Sequence, residues 1–330
     1  MILKKGKNII FWSAIAACLA AALLVSMILG SLPKKAEDRS LPEVTETIGG
    51  GNYFRFLVAG SDATSGLCDV LMLVSIDRAS HEVFVLQIPR DTYAKYTEKS
   101  YRKLNGAYAS LGGMDGFREF LSKALGVSID RTLHLSPSAF RSAVDALGGV
   151  EIDLPRDLDY DDPAQKLSIH LKAGKQTLDG AGAEQFVRYR AGYVQGDLDR
   201  IDAQKLFLSA LFRKVSELGV FEAATLAIRM RNEVDTDLEA SDIFSLAGEL
   251  ISLSPDRVFF VTAPGAAVTA EKSGASYYVL SAPAMEELLV RHFGASEGGF
   301  DSECVFLNEN NERFRKIYGE YCAYSVQECS

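Results

Sequence analysis

The chain has 330 residues, of which 48% are apolar and 24% are charged, and its formal net charge is −9 with a sequence pI near 5.1. This length and apolar content are sufficient for a buried core and exclude an intrinsically disordered protein. The acidic balance gives no support for a broad basic face, so nucleic acid is not expected as a partner.

The first predicted element is a single-pass membrane anchor. Residues 9–29 read IIFWSAIAACLAAALLVSMIL, with no charge over the roughly twenty positions that a spanning helix needs. Lysines precede this segment and mixed charges follow it, so residues 1–8 are predicted to be a cytoplasmic tail, with the rest of the chain outside the cell membrane. A cleaved signal peptide is the alternative, but the apolar run is longer than a usual signal core and no clear A-x-A site follows it.

Three further segments are predicted beyond the anchor. Residues 30–52 are rich in Pro, Gly, Glu and Thr and predict a flexible linker. A folded extracellular domain is predicted at 53–293, followed by a tail at 294–330 whose pattern assigns no structure. In an oxidising compartment, two of the three cysteines in this tail can pair, and the sequence leaves the choice open. They are Cys304, Cys322 and Cys329.

The domain opens with three apolar runs, FRFLVAG, LMLVSID and VFVLQIP, which read as strands of one buried sheet. Helical patterns follow at 105–111 and 114–125, with Gly126 as a C-terminal stop. Ser136-Pro137 is typical of an N-cap and the first helical position, and Gly148-Gly149 ends that helix.

The second half of the domain continues to alternate helices and strands. VEIDL reads as a strand, and Asp179 is the predicted cap of a helix that reaches about Arg188. The remaining predicted elements are helices at 201–215, 221–231, 241–253 and 284–293 and the strands RVFFVTAP and YYVL, which are expected to extend the same sheet. The pattern predicts an α/β fold, an α/β/α sandwich with a mixed central sheet, preceded by the transmembrane helix.

Two carboxylates flank the gap between the first two predicted strands. Asp62 follows the first strand and Asp69 precedes the second, so both reach the sheet edge where open α/β sheets bind ligands. Such a pair in a glycine-containing loop suits Mg²⁺, or Mn²⁺ in its place, because these ions prefer oxygen ligands. The alternative is that both residues only cap turns.

The third strand is predicted to deliver a guanidinium to the same edge. It ends in Ile88-Pro89-Arg90-Asp91-Thr92, where proline stops the ladder and Arg90 is suited to bidentate phosphate contact. Asp91 has two candidate roles. It either accepts the proton of an attacking hydroxyl or orients Arg90, and the orienting role is favoured.

A second arginine group lies in FVRYRAGYVQGDLDR. Arg188 and Arg190 can share a ligand only where the helix gives way, and Ala191-Gly192 supplies a predicted break. Arg200 begins the next helix, where the helix dipole favours an anion, and Gln204 lies one turn further on. A solvated charge cluster is the alternative. With a carboxylate-bound metal, these arginines fit transfer of a phosphate-bearing group from a pyrophosphate.

The order of these motifs resembles the LytR-CpsA-Psr family over most of residues 56–214. The resemblance rests on Gly60-Ser61-Asp62, Asp69, Met72, the 88–92 motif, Lys103-Leu104-Asn105, Ala107-Tyr108, VDALGGV at 144–150, Arg188-Tyr189-Arg190, Gly196-Asp197, Arg200 and Gln204.

This resemblance implies a cell-envelope transferase that attaches teichoic acid or another glycopolymer to peptidoglycan. The implied donor is an undecaprenyl-pyrophosphate-linked glycan in an apolar pocket, the implied acceptor is a peptidoglycan sugar hydroxyl, and membrane lipid is a further partner. The implied magnesium ligands are Asp62 and Asp69, and the implied pyrophosphate ligands are Arg90, Arg188, Arg190 and Arg200.

Two departures from the family pattern are visible. Leu67-Cys68-Asp69 stands where the family usually has Arg-Ser-Asp, and Ala203 replaces a common arginine before Gln204. One expected phosphate contact is therefore missing. Two other hypotheses stay open: a non-catalytic envelope regulator that binds polyprenyl phosphate or glycan, and a hydrolase that cleaves the pyrophosphate with water.

Overall fold

The computed structural model describes most of the predicted domain. The described residues are 52–61, 67–97, 102–154, 156–162, 167–189, 234–239, 255–269, 274–301 and 323–325, together with 207, 210, 211, 214, 226, 230 and 242. No helix within these ranges is long and apolar enough to cross a membrane. The predicted anchor at 9–29 lies outside the described residues and stays a prediction.

The described part of the chain contains runs of strands separated by helices. The strands are β1 Tyr53–Ser61, β2 Cys68–Asp77, β3 Glu82–Gln87, β4 Tyr93–Ala94, β5 Arg102–Lys103, β6 Arg131–Leu135, β7 Val150–Leu154, β8 Leu158–Asp162, β9 Leu167–Leu171, β10 Gly174–Leu178, β11 Asp235–Thr236, β12 Val258–Thr262, β13 Gly265–Thr269, β14 Ser276–Leu280 and β15 Ala323–Ser325. The helices are α1 Ala107–Ser110, α2 Met114–Leu125, α3 Pro137–Ala146, α4 Gly180–Arg188 and α5 Ala282–Phe293.

A seven-stranded mixed sheet organises the fold, in the order β11-β6-β1-β2-β3-β12-β15. β1 pairs with β6 and β3 with β12 in parallel, whereas β1–β2, β2–β3, β6–β11 and β12–β15 are antiparallel. The three predicted opening strands are its adjacent members β1, β2 and β3. The prediction of an α/β fold with a mixed central sheet is confirmed.

Both faces of the central strands are buried. Leu57, Leu73 and Leu86 occupy one face and pack with apolar side chains of α2 and α5. Val58 and Met72 point to the opposite face, because successive residues of a strand alternate, and they are also buried. Burial on both faces is what a layered α/β/α arrangement requires.

Local signals placed the helix ends correctly. The Ser136 hydroxyl accepts a hydrogen bond from the Ala139 N–H at 3.1 Å at the start of α3. The Asp179 carboxylate accepts from the Gly182 N–H at 2.7 Å at the start of α4. Gly126 ends α2 in the left-handed conformation with φ 65°. These caps satisfy backbone groups that a helix end leaves without intrahelical partners.

One predicted strand lies outside the central sheet. YYVL belongs to β14, which forms a separate hairpin with β13, whereas RVFFVTAP contains β12 and joins the sheet as predicted. The reason is that β12 is paired on both sides, by β3 and by β15. At Gly265 a Cβ would lie 2.2 Å from the Val279 carbonyl oxygen, so the close approach within the hairpin requires glycine. The prediction that YYVL extends the same sheet was wrong.

Candidate functional site

Five strand ends define one edge of the central sheet, which we call the site edge. β3, β6 and β12 all run in the same direction as β1, and β2 runs opposite. The carboxyl ends of β1, β3, β6 and β12 therefore lie beside the amino end of β2. Ligands of open α/β sheets bind outside the carboxyl ends of the strands. Among the predicted site residues, Asp69 lies at the amino end of β2, and Arg90 and Asp91 come shortly after the carboxyl end of β3.

The two predicted metal ligands flank the junction of β1 and β2. Ser61 is paired with Cys68 next to an irregularity in register at Gly60. Asp69 is the second residue of β2, so its backbone lies at the site edge. Asp62 follows Ser61 in the sequence and is outside the described residues. The backbone geometry is compatible with the carboxylate pair, whose metal role remains a prediction.

A tight turn after β3 carries Arg90. The Ile88 N–H donates to the Leu71 carbonyl at 2.9 Å, which continues the sheet by one step. The Pro89 carbonyl then accepts from the Thr92 N–H at 2.9 Å and from its hydroxyl at 2.5 Å. Proline donates no backbone hydrogen bond, so the ladder ends here. The Arg90 side chain is only 3% exposed, which is rare for a charged group.

Asp91 connects Arg90 to a second cation. Its Oδ1 lies 3.9 Å from Arg90 Nε and 2.9 Å from Lys103 Nζ. Pairing of Tyr93 with Lys103 brings β5 into this position, and the Asn105 N–H donates to the Arg90 carbonyl at 3.0 Å. The geometry supports the orienting role of Asp91. The predicted site omitted Lys103, although this residue begins the Lys103-Leu104-Asn105 motif.

A serine–histidine contact at the site edge was not predicted. Ser61 Oγ and His134 Nε2 are 2.6 Å apart, and the imidazole stacks on Tyr108 with ring centroids separated by 4.9 Å. Burial lowers the pKa of His134, and the charge of Asp235, its partner across β11 and β6, opposes that shift. Burial also raises the pKa of Tyr108, with smaller contributions from Asp235 and Cys68. A neutral imidazole therefore contacts the hydroxyl of Ser61, the residue that precedes the first predicted metal ligand in the sequence.

The second arginine group is only partly described. α4 ends at Arg188, as predicted, and Tyr189 is extended with φ −63° and ψ 134°. Tyr189 is buried in a core cluster with Phe186, which explains why the chain leaves the helix there, ahead of the break predicted at Ala191-Gly192. The structure describes only the backbone of Arg188. The other predicted members, Arg190, Arg200 and Gln204, lie outside the described residues.

These contacts define what the described part of the site edge can do. A buried guanidinium and a nearby ammonium share one carboxylate oxygen, so positive charge is concentrated at a fixed position. Fixed donors of this kind neutralise phosphate oxygens without reorganising during a reaction. The arrangement therefore suits an anionic phosphate group.

The LytR_cpsA_psr family model matches residues 32–292, well over half of the chain. The chain belongs to the LytR_cpsA_psr family. The resemblance drawn from the order of motifs is thereby confirmed, and the match covers all the predicted site residues of this LytR_cpsA_psr protein.

Curated relatives in this family have names linked to the cell wall. The chain is 27% identical over 217 residues to a polyisoprenyl-teichoic acid–peptidoglycan teichoic acid transferase, TagV, of Bacillus subtilis, a match that covers 59% of this chain and 55% of TagV. It is 34% identical over 163 residues to the probable cell wall biosynthesis protein LcpB of Corynebacterium glutamicum, covering 49% of this chain and 38% of LcpB. The chain thus spans about half the length, or less, of these relatives.

Solved structures share the fold of this LytR_cpsA_psr chain. The crystal structure of B. subtilis TagV matches with a TM-score of 0.61 at 24% identity, covering 74% of this chain and 98% of that one. The crystal structure of B. subtilis TagT matches with a TM-score of 0.55 at 25% identity, covering 74% and 91%. These likenesses support the mixed α/β fold.

Leu67 and Cys68 are the residues before Asp69 at which the sequence departs from the expected family pattern. Leu67 is partly exposed directly before β2. Cys68 is buried, and its thiol donates to the Val70 carbonyl at 2.8 Å. An uncharged pair therefore stands beside Asp69, which leaves Arg90 as the described guanidinium at this part of the site edge.

Proposed function

We propose that this chain is a magnesium-dependent phosphotransferase of cell-wall assembly. It moves a glycopolymer phosphate from an undecaprenyl-pyrophosphate-linked donor to peptidoglycan. The observation that carries the proposal is the buried Arg90 guanidinium, 3.9 Å from an Asp91 oxygen that also binds Lys103. The name of the relative TagV, a polyisoprenyl-teichoic acid–peptidoglycan teichoic acid transferase, agrees with this assignment.

The reaction exchanges one phosphorus–oxygen bond for another. The acceptor hydroxyl oxygen forms a bond to the glycan-bearing phosphorus, and the bond from this phosphorus to the bridging oxygen breaks. Undecaprenyl phosphate leaves with the bridging oxygen, and the hydroxyl proton passes to water. Phosphoryl transfer depends mainly on positioning and charge stabilisation, so this step needs no covalent nucleophile from the protein.

Arg90 supplies the fixed positive charge for this exchange. Asp91 limits the movement of the guanidinium and the Lys103 ammonium because both cations are drawn to the same carboxylate oxygen. Electrostatic interactions are stronger in a buried environment than in water. Arg188, Arg190, Arg200 and Gln204 are proposed to complete the pyrophosphate site.

The proposed metal ligands fit magnesium by their chemistry. Ser61 pairs with Cys68 at the site edge. Ser61 precedes Asp62 in the sequence and Cys68 precedes Asp69. Two carboxylates offer only oxygen donors, which magnesium prefers. When bound, the ion would neutralise charge on the phosphate oxygens. The Ser61–His134 contact helps to fix the end of β1, from which Asp62 extends.

The proposed location follows from the donor. A substrate carried on a polyprenyl chain lies in the membrane, so an enzyme anchored through residues 9–29, with its domain outside, meets donor and wall together. Residues 9–29 retain the composition of a spanning helix.

The proposal is tested by transfer of label from donor to peptidoglycan by the full chain in detergent. Asp69→Asn removes one proposed metal ligand, and we expect its rate to fall about 10²-fold or more, the scale of losing one electrostatic stabiliser. Asp77→Asn is the matched control, because Asp77 ends the same strand and accepts from the Ala79 N–H at 2.8 Å, a bond that asparagine preserves.

The outcomes separate the proposed function from its competitors. Equal conjugate from wild type and Asp69→Asn, with magnesium present or chelated, would remove the metal role. Retention of lipid donor without any product would identify a binding protein, and release of free glycan phosphate without conjugate would identify a hydrolase.

A further inference from the structure

A small accessory sheet adjoins the turn that carries Arg90. β4 pairs with β5, and Thr92 forms a parallel bridge with Tyr278 of β14. The Tyr278 N–H donates to the Asp91 carbonyl at 2.8 Å. Because β12 ends at the site edge, the β13–β14 hairpin that follows it is placed beside the proposed phosphate site.

One set of side chains fixes this accessory sheet to the core. Thr92 is fully buried, and the hydroxyl of Tyr278 donates to the Ala263 carbonyl at 2.9 Å. Burial raises the pKa of Tyr278. These contacts attach one side of the strands to the core, and they do not involve the residues on the other side of the same strands.

Alternation along the strands turns a second set of side chains away from the core. Tyr93 and Tyr277 are next in sequence to Thr92, which is buried, and Tyr278, which is partly buried against the core; the rings of Tyr93 and Tyr277 meet edge to face with centroids 4.9 Å apart. Lys103 Nζ lies 5.9 Å from the centre of the Tyr277 ring and 2.9 Å from Asp91 Oδ1. We call Tyr93, Tyr277, Lys103 and Asp91 the tyrosine shelf.

The tyrosine shelf is partly exposed and combines aromatic with charged groups. Both tyrosines are partly accessible, and Lys103 and Asp91 are 34% and 17% exposed. Both ion pairs of Asp91 among the described residues use Oδ1.

A sugar ring matches this chemistry better than an apolar or simple anionic ligand does. Its C–H faces pack on aromatic rings, whereas its hydroxyls donate to a carboxylate and accept from an ammonium. Recognition sites commonly combine an apolar surface with a few polar groups that fix orientation. An apolar ligand would leave the ion pair without a role, and a simple anion would leave the two tyrosine rings without one.

We propose that the tyrosine shelf binds the acceptor sugar. The inference rests on the proposed transferase function and adds the acceptor subsite to it. The Asp91 carboxylate is shared between the shelf and Arg90, whose Nε lies 3.9 Å from Oδ1. A sugar on the shelf is thereby held next to the proposed phosphate site, with a hydroxyl directed toward the glycan-bearing phosphorus.

The test uses the full chain in detergent with Tyr277→Ala, Tyr277→Phe and the control Tyr160→Ala. Tyr160 is a partly buried tyrosine of the separate β8–β9 hairpin. Two quantities are measured: binding of soluble peptidoglycan glycan strands without donor, and the KM for those strands during transfer. Because one aromatic contact is lost, Tyr277→Ala should bind the strands about tenfold more weakly and should show a KM about tenfold higher. Tyr277→Phe, which keeps the aromatic ring, should have a much smaller effect than Tyr277→Ala, and Tyr160→Ala should stay close to wild type.

The outcomes that reject acceptor binding by the tyrosine shelf differ from those that reject the transferase function. Absence of glycan binding by the wild type, or equal binding by wild type and Tyr277→Ala, rejects the shelf even if transfer occurs. A wild type that binds glycan through Tyr277 but forms no conjugate keeps the shelf and rejects the transferase. If Tyr277→Ala lowers the melting temperature and weakens donor binding by the same factor as acceptor binding, the tyrosine is structural and the shelf is rejected.

Discussion

Arg55 and Arg90 are both buried, but they lie at opposite edges of the central sheet. Arg55 is near the start of β1, its side chain is 8% exposed, and burial lowers its pKa. Its Nε donates to the Phe293 carbonyl at 2.6 Å, its Nη1 donates to Ser128 Oγ at 2.9 Å, and its guanidinium lies 5.1 Å from the centre of the Tyr53 ring. This guanidinium joins β1 to the end of α5 and serves the fold.

Arg90 has a different environment at the site edge. It approaches Asp91, a carboxylate whose oxygen is already bound by Lys103. Two cations around one carboxylate leave net positive charge at a buried position, which favours an anionic ligand. Arg55 instead contacts neutral acceptors within the fold. Burial alone therefore does not distinguish the two arginines, which differ in their position: Arg90 lies at the site edge beside Asp91 and Lys103.

The largest predicted effect comes from replacing Arg90. Arg90→Gln should lower the transfer rate about 10²- to 10³-fold, since one fixed electrostatic donor has this value in comparable sites. Arg90→Lys should restore little, because an ammonium cannot make the bidentate contact of a guanidinium. Initial rates of label transfer per folded molecule measure the loss. Activity within threefold of wild type in both variants would place the phosphate elsewhere.

The next effect is on stability and concerns Arg55. Arg55→Met keeps an apolar stem but leaves the Phe293 carbonyl without its charged donor, which should cost about 2 to 3 kcal/mol. Urea unfolding measures this loss, and the transfer rate per folded molecule should remain unchanged. Arg257→Met is the control, since Arg257 forms an exposed pair with Glu82 at 3.1 Å and should cost about 0 to 1 kcal/mol. Equal losses would contradict the assigned role of Arg55.

Sequence reasoning succeeded where the signal is local. The Ser136 cap and the left-handed Gly126 are set by residues within one helical turn, and β1, β2 and β3 are adjacent in the chain as well as in the sheet. A cap or a hairpin needs only neighbouring residues to form its hydrogen bonds. These features could therefore be predicted without knowledge of the fold.

Long-range pairing explains what the sequence did not reveal. The free side of β12 is taken by β15, from a tail with no clear pattern, and this pairing excludes β14 from the sheet. His134 reaches Ser61 from 73 residues away. Lys103 meets Asp91 only because the short β4 and β5 pair. Such contacts depend on the assembled sheet, so residue type and spacing were insufficient to find them.

The smallest predicted effect distinguishes the histidine at the site edge from one elsewhere. Burial lowers the pKa of His134 despite the opposing charge of Asp235. Burial and Arg291 likewise lower the pKa of His292, which stacks on Phe84 with centroids 3.9 Å apart. Both side chains are therefore neutral in the folded state at pH values where the unfolded chain already binds protons.

The direction of the pH dependence follows because the pKa of each histidine is lower in the folded state than in the unfolded state. As pH falls below the unfolded value of about 6.5, the unfolded state takes up protons first, so the free energy of unfolding decreases until the folded pKa is reached. His134→Gln and His292→Gln should each reduce the slope of unfolding free energy between pH 7 and 5, measured by urea titration. Only His134→Gln should also alter the pH profile of transfer, because only His134 holds Ser61 beside the proposed metal site. Identical transfer profiles for the two variants would assign His134 to the fold, together with Arg55, and leave Arg90, Asp91 and Lys103 as the functional part of this edge.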